Sequence, residues 1–185
     1  MKQRLDKLMV QQKLAATRSE AESWIKLGRV QVNGKLVQKA GEFVPQEAIV
    51  QLNAPERYVS RAGLKLASVA KALSLDFNNK IVLDVGSSTG GFTDYALQHG
   101  ANKVIAVDVG TDQMHPSLRN NKRIELHEKT DIRDFIPNEV PEIVVVDVSF
   151  VSLRDILPSI TKIIRGGTLV AAMVKPQFED RKSVV

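Results

Sequence analysis

The sequence predicts an α/β fold: a parallel sheet with helices on both faces, preceded by a small α+β module. Three observations carry that expectation. From Ile81 onward, β-branched apolar runs alternate with segments of helical period, as strand-helix-strand units do. The first run, Ile81-Val82-Leu83-Asp84-Val85, breaks at Gly86 into small residues and then a helix start. Ahead of it, residues 30–37 alternate about Asn33-Gly34, the strongest short-range sign of a hairpin.

The front module is taken first. Leu5, Leu8, Met9 and Leu14 recur at helical spacing between basic residues, which predicts a short amphipathic helix. Thr17 to Glu20 and Ser19 to Glu22 form two overlapping capping boxes, so a second helix should start there and stop at Gly28. Trp24 lies mid-helix among apolar neighbours and reads as core rather than as a stacking platform. After the hairpin, residues 48–52 make a further strand, closing a module over residues 1–52. Residues 53–59, around Pro55, read as a linker. Ser60 is an expected N-cap for a helix whose stripe is Leu66, Val69, Ala70 and Leu73. By periodicity alone Lys65 is an ordinary solvated lysine.

The larger domain follows, over residues 60–185. A helix is expected at 92–100, a strand at 101–108, a short helix or loop at 114–121 and strands at 123–128 and 142–147. A helix at 153–165, ended by Gly166-Gly167, leads to a fifth strand at 168–175. Such alternation calls for right-handed crossovers.

Composition limits the chemistry. With 185 residues, 43% of them hydrophobic, the chain is long enough for one ordinary domain plus a small one. There is no cysteine, and His99, His115 and His127 show no ligand spacing, so no metal is expected. No apolar run reaches the roughly 18 residues of a membrane span, and the N-terminus is amphipathic rather than a signal peptide. A cytoplasmic protein with no membrane partner is therefore expected. Residues 1–65 carry 12 Lys/Arg against 6 Asp/Glu, and residues 66–185 carry 14 against 15. The basic front points to a polyanion, although most Lys and Arg of any protein simply face water.

The loop after Val85 lacks the Gly-Lys-Ser/Thr ending of a P-loop, and its glycines at 86, 90 and 91 do not make a dinucleotide fingerprint. It does offer an acid at the strand end, bare backbone at Gly86 and Gly90, and hydroxyls between. Asp108 closes the second strand, Asp131 follows the third and Asp147 closes the fourth. Any one of these acids reads equally as a cap or a solvated loop end. Four at successive strand ends, behind a glycine turn, instead line the sheet edge where open α/β sheets bind ligands. That pattern reads as the S-adenosylmethionine pocket of a class I methyltransferase, built from Asp84, Gly86, Ser87, Ser88, Thr89, Gly90, Gly91, Phe92, Asp108, Asp131 and Ile132.

Two resemblances sharpen this. Arg4-Leu5-Asp6-Lys7-Leu8, Thr17-Arg18-Ser19-Glu20-Ala21 and Gly28-Arg29-Val30-Gln31-Val32-Asn33-Gly34 resemble the S4 RNA-binding domain, which implies phosphate contacts from Lys7, Arg18 and Arg29. With Tyr58-Val59-Ser60-Arg61-Ala62-Gly63-Leu64-Lys65-Leu66, the glycine loop, Asp147-Val148-Ser149-Phe150 and Val174-Lys175-Pro176-Gln177-Phe178-Glu179, the chain resembles the hemolysin A (TlyA) family. There an S4 domain is fused to an FtsJ-like, Rossmann-like ribosomal RNA methyltransferase domain. The resemblance implies 2′-O-methylation of cytidine in ribosomal RNA or ribosomal subunits by a Lys-Asp-Lys-Glu tetrad, with Lys65, Asp147 and Lys175 as its first three members. Lys175 would be the base, with Asp147 and Lys65 orienting the hydroxyl. A lysine kept from water beside another cation can shed its proton to do so. The family's Glu comes well downstream of Glu179, so it is expected beyond Val185, with the last strands missing and the fifth strand left with an open apolar edge. Two other readings remain at this level, a non-catalytic RNA-binding or ribosome-associated protein and, from the family's name, a membrane-lytic one.

Overall fold

A computed structural model describes residues 2–15, 17–53 and 58–179. The chain divides into two compact units, Met1–Val69 and Ala70–Val185. Most of the linker expected at 53–59 lies outside the described residues.

In the first unit β1 (Lys2–Arg4) runs straight into α1 (Leu5–Gln11), followed by α2 (Arg18–Lys26), β2 (Val30–Val32), β3 (Lys35–Val37), β4 (Phe43–Pro45), β5 (Val50–Leu52) and α3 (Arg61–Ala70). Apolar positions of α1 and α2, among them Leu5, Leu8, Met9, Trp24 and Ile25, share one core with Val30, Val44 and Val50. Trp24 is buried, as its neighbours predict. The helix of the leucine stripe ends at Gln11, because Lys13 turns to φ 58°; Leu14 reaches the core from outside the helix. Thr17 caps α2 by accepting the Glu20 N–H at 3.2 Å. The second capping box is not used: Ser19 lies within α2, and its carbonyl accepts the Ser23 hydroxyl.

The hairpin forms at Asn33 and Gly34, with φ of 49° and 77°, the consecutive left-handed pair that a tight two-residue turn needs. The Asn33 side chain also accepts the Ile49 N–H at 3.0 Å, which ties the turn to β5. β2 lies between β3 and β5, both antiparallel to it. The antiparallel pair β1 and β4 was not legible in the sequence, since three residues are too few to display a period of two.

Two expectations for α3 fail. Ser60 forms no cap bond, and its buried hydroxyl has no partner among the described residues. Its carbonyl instead accepts the Gly63 N–H at 3.2 Å. Val69 and Leu73, expected on the buried stripe, are 41% and 52% exposed, whereas Leu64, Leu66 and Ala70 are buried. The helix stops at Ala70, so Leu73 falls off its face, and Leu64 is drawn into the first unit's core.

The second unit contains β6 (Ile81–Val85), α4 (Gly91–Gln98), β7 (Lys103–Val107), α5 (Pro116–Arg119), β8 (Ile124–His127), β9 (Ile143–Val146), α6 (Leu153–Ile163), β10 (Leu169–Ala172) and α7 (Pro176–Glu179). Its five strands are parallel, in the order β10-β9-β6-β7-β8. Alternate residues Leu83, Val85, Ile105, Val107, Val144 and Val146 pack with Leu153, Ile156 and Ile160 of α6. The residues between them, Asp84 included, face the side of α4. Helices thus cover both faces, as a parallel sheet requires. β10 lies at the sheet's edge, with Leu169 and Val170 exposed, as expected.

The picture of four acids at strand ends needs correcting. Asp108 and Asp147 do follow β7 and β9 directly, but Asp84 is inside β6 and Asp131 stands four residues beyond β8. Period-two alternation puts Asp84 on the face that α4 covers rather than on the rim.

Candidate functional site

From β6 the chain moves out to β7 and β8, then returns to β9 on the other side of β6. The loops leaving β6 and β9 therefore diverge, and an open α/β sheet binds ligands at such a point. Gly86, with φ 81°, starts the first loop. A Cβ there would stand 3.0 Å from the Asp147 carbonyl oxygen and 3.1 Å from Val148, so backbone alone fits where the two loops meet. At Gly90, φ 87°, a Cβ would meet the Met114 sulfur at 2.5 Å.

These loops enclose a cavity of about 510 Å³. Its ionisable lining is three carboxylates, Asp108, Asp131 and Asp147, and one guanidinium, Arg133. Asp108 is clamped between two loops: one oxygen accepts the Ser88 N–H at 2.8 Å and the other the Gly110 N–H at 2.7 Å. A carboxylate has about four acceptor sites, so it keeps room for two further donors. Asp131 takes a forked bond from Arg133, at 2.6 Å from Nη2, and that guanidinium holds its carboxyl below the usual range. Ile132 is buried in the same wall.

Asp147 pairs with the Lys175 ammonium at 2.7 Å, with side chains 12% and 19% exposed. Lys175 also donates to the Ser149 hydroxyl at 2.9 Å. Phe150, next along the chain, is 91% exposed at φ 66°, its ring 5.3 Å from that of Phe178. Glu179 has a different duty: it accepts the Leu153 N–H at 2.8 Å and the Ser152 hydroxyl at 2.7 Å, which ties α7 to the start of α6. Those bonds hold its carboxyl below the ordinary range.

Asp84 lies beneath the glycine loop, 1% exposed, with one oxygen accepting the Thr93 hydroxyl at 2.6 Å and the other without a partner. Burial pushes its carboxyl up to about 7, against the Thr93 bond and with help from the charges of Asp147 and Asp108. The Ser87 hydroxyl is likewise buried and unpartnered. Of the other loop residues named from the sequence, Ser88 lines the cavity, Thr89 is exposed, and Gly91 and Phe92 are buried in the first turn of α4. Lys65 is exposed on α3 in the first unit.

Among the first unit's cations, Lys7 on α1 and Arg29 before β2 are exposed. Arg18 is half exposed, but its guanidinium is engaged by Asp6 at 2.9 Å. Arg4 grips the same fully buried carboxylate at 2.7 Å, and the Lys7 N–H donates to it at 2.8 Å. The Arg4 and Arg18 bonds hold Asp6 far below the usual carboxylate range, against the cost of burial.

Sequence reasoning missed Gln113, Arg133 and Phe150 on the cavity wall. Phe150 lies in a motif already singled out, and the other two lie in the loops following Asp108 and Asp131. Their nearness to those acids was the available signal. Among the described residues no group of three or more acids and histidines could hold a metal ion, and no helix is long and apolar enough to cross a membrane.

Comparison with known proteins adds the following. The FtsJ-like methyltransferase family model matches residues 58–185 and the S4 domain model residues 3–50. The chain is 37% identical over 186 residues to hemolysin A of Brachyspira hyodysenteriae, covering 98% of this chain and 78% of that protein. It is 35% identical over 187 residues to the 16S/23S rRNA (cytidine-2'-O)-methyltransferase TlyA of Mycobacterium tuberculosis, covering 98% and 70%. Among solved structures, "Putative hemolysin from Streptococcus thermophilus" superposes with a TM-score of 0.66 at 41% identity, over 98% of this chain and 69% of that one.

Proposed function

The chain belongs to the FtsJ-like methyltransferase family, in the branch that carries an S4 domain and includes hemolysin A and TlyA, and we propose that it transfers methyl groups from S-adenosylmethionine to the 2′-hydroxyl of cytidines in ribosomal RNA. The observation that carries the reading is the acid-lined cavity at the switch point, with an ammonium-carboxylate pair on its rim. Its one lining cation is already matched by Asp131, so the cavity offers a phosphate little. It does suit a ligand that brings hydroxyls, an ammonium and a positive sulfur. The acceptor capacity left on Asp108 and the glycine backbone fit S-adenosylmethionine for the same reason.

In this reading Asp108 accepts from the ribose hydroxyls, Asp131 and Ile132 border the base, and the backbone around Gly86, Ser87, Ser88, Thr89 and Gly90 receives the rest, with Gly91, Phe92 and Asp84 holding that turn from behind. Bound there, the cofactor supplies an electrophilic methyl group on a good leaving group. What remains for the protein is to hold the attacking hydroxyl in line and take one proton. Lys175, in its neutral amine form, is the proposed base that takes this proton, and Asp147 keeps it in place. Lys65 joins them on motif position alone. Phe150 offers an exposed ring beside this pair, on which a target base can stack. Lys7, Arg18 and Arg29 contact RNA phosphates, and a ribosomal substrate implies work in the cytoplasm.

The test is methyl transfer to ribosomal subunits, with mapping of 2′-O-methylated positions. Lys175→Ala should bind the cofactor as the parent does while turnover falls by about 10²- to 10⁴-fold. Retained turnover removes Lys175 from that role. A parent chain without affinity for the cofactor, even with ribosomal RNA present, leaves only an RNA-binding protein.

A further inference from the structure

The loop between β7 and α5 carries a group that none of this uses. Its backbone is anchored on both sides: Lys129 donates to the Gly110 carbonyl at 2.9 Å, and His115 donates to the Thr89 carbonyl at 3.1 Å. Arg119 reaches back with Nε to the Met114 carbonyl at 3.2 Å and with Nη2 to Glu128 at 2.7 Å and Asp112 at 3.3 Å. Glu128 also receives the N–H groups of Asp112 and Gln113; burial raises its carboxyl, and these contacts more than offset that. At the loop's centre Gln113 turns into the cavity, its Oε1 accepting the Ser88 hydroxyl at 3.0 Å.

The other end of the same carboxamide borders Asp108. Its Nε2 lies so close over Gly110 that a Cβ on that glycine would overlap it, and the same Cβ would stand 3.0 Å from Asp108 Oδ1. One carboxylate and one amide thus face a single small space. A vicinal diol there has two O–H donors for Asp108, and lone pairs that the carboxylate cannot serve. We propose that Gln113 is a ribose-binding residue, its Nε2 donating to the hydroxyl oxygens whose protons Asp108 accepts. The proposal rests on the cofactor reading above and adds to it the group that completes recognition of the sugar. A loop this firmly anchored supplies the donor preorganised.

The bland alternative is a staple that only joins the loop to Ser88. Calorimetry on the full chain separates the two, with S-adenosylhomocysteine and its 2′,3′-dideoxyribose analogue as probes. Gln113→Met, which keeps the bulk and removes the amide, should weaken S-adenosylhomocysteine about tenfold or more, the worth of a donor to a buried polar group. It should leave the dideoxy analogue's affinity unchanged. Gln113→Glu keeps the shape but sets a second carboxylate beside Asp108, so it should also weaken the parent ligand, and less so as the pH is lowered. Unchanged binding of S-adenosylhomocysteine by both variants overturns the proposal. Equal losses for the two probes overturn it as well, since that is how a staple behaves. If the parent chain bound neither probe, the cofactor reading itself would fall, an outcome distinct from both.

Discussion

Two carboxylates, Asp6 in the first unit and Asp84 in the second, lie almost wholly out of water, and the two are handled in opposite ways. Asp6 is fully buried yet ionised, gripped by the guanidiniums of Arg4 and Arg18 and by the Lys7 N–H. Asp84 is buried with the hydroxyl and the backbone N–H of Thr93 as its donors and no cation beside it among the described residues, and burial pushes its carboxyl up to about 7. The difference is the supply of cations. The basic front unit can commit two arginines to one acid, so its outward charge is smaller than its composition reads. In the second unit, an acid under the glycine loop with no such cation beside it instead keeps its proton to a higher pH than usual.

Breaking this contrast should have its largest effect at Asp6. Asp6→Ala removes the charge-assisted bonds and should cost about 2 kcal/mol of stability. Trp24, the one tryptophan, lies in the same core and reports the loss by its fluorescence during urea unfolding. An unchanged midpoint would mean that the arginines find equal partners in water. Asp6 stabilises the fold above its ordinary carboxyl range, and its contribution is lost as the pH falls through its lowered folded value.

Asp84 should show the opposite sign. Folded, it keeps its proton up to about 7, whereas unfolded it releases it near 3.8. Its contribution is therefore complete below 3.8 and fades as the pH rises to about 7. Asp84→Asn, which cannot ionise, should gain in melting temperature relative to the parent across that window and by a constant amount above it. A difference that does not vary with pH would show that Asp84 is not the group concerned.

The smallest effects sharpen the picture of the front unit. Lys7→Ala and Arg29→Ala should each weaken RNA binding a few-fold and lower the slope of log affinity against log salt by about 0.7–0.9. Arg18→Ala should lower stability as well, because its guanidinium also serves Asp6. Filter binding over a salt series checks all three, and an unchanged slope removes a residue from the phosphate contacts.

Which of these features were legible follows from their range. Asn33-Gly34, the Thr17 cap and the glycine loop are local, and the structure forms all three. The short strands β1 and β4 and the exposure of Val69 were not legible, since both depend on distant partners. Spacing gave Lys65 no distinction; only the motif around it did. For Asp84 the sequence showed an acid near a strand end, while its alternation within the strand, which sends it toward Thr93, needed the strand's true limits.

The sequence by itself determined the alternation of strands and helices, the glycines at positive φ and the acids that follow β7 and β9, because each is written in neighbouring residues and their steric limits. Only the tertiary structure decided that Gly86 meets Asp147, that Lys175 pairs with that acid, that Arg18 turns to Asp6 and that Gln113 stands over Gly110 beside Asp108. These meetings depend on strand order and on the anchoring of loops, and the partners lie too far apart along the chain for any local pattern to record them.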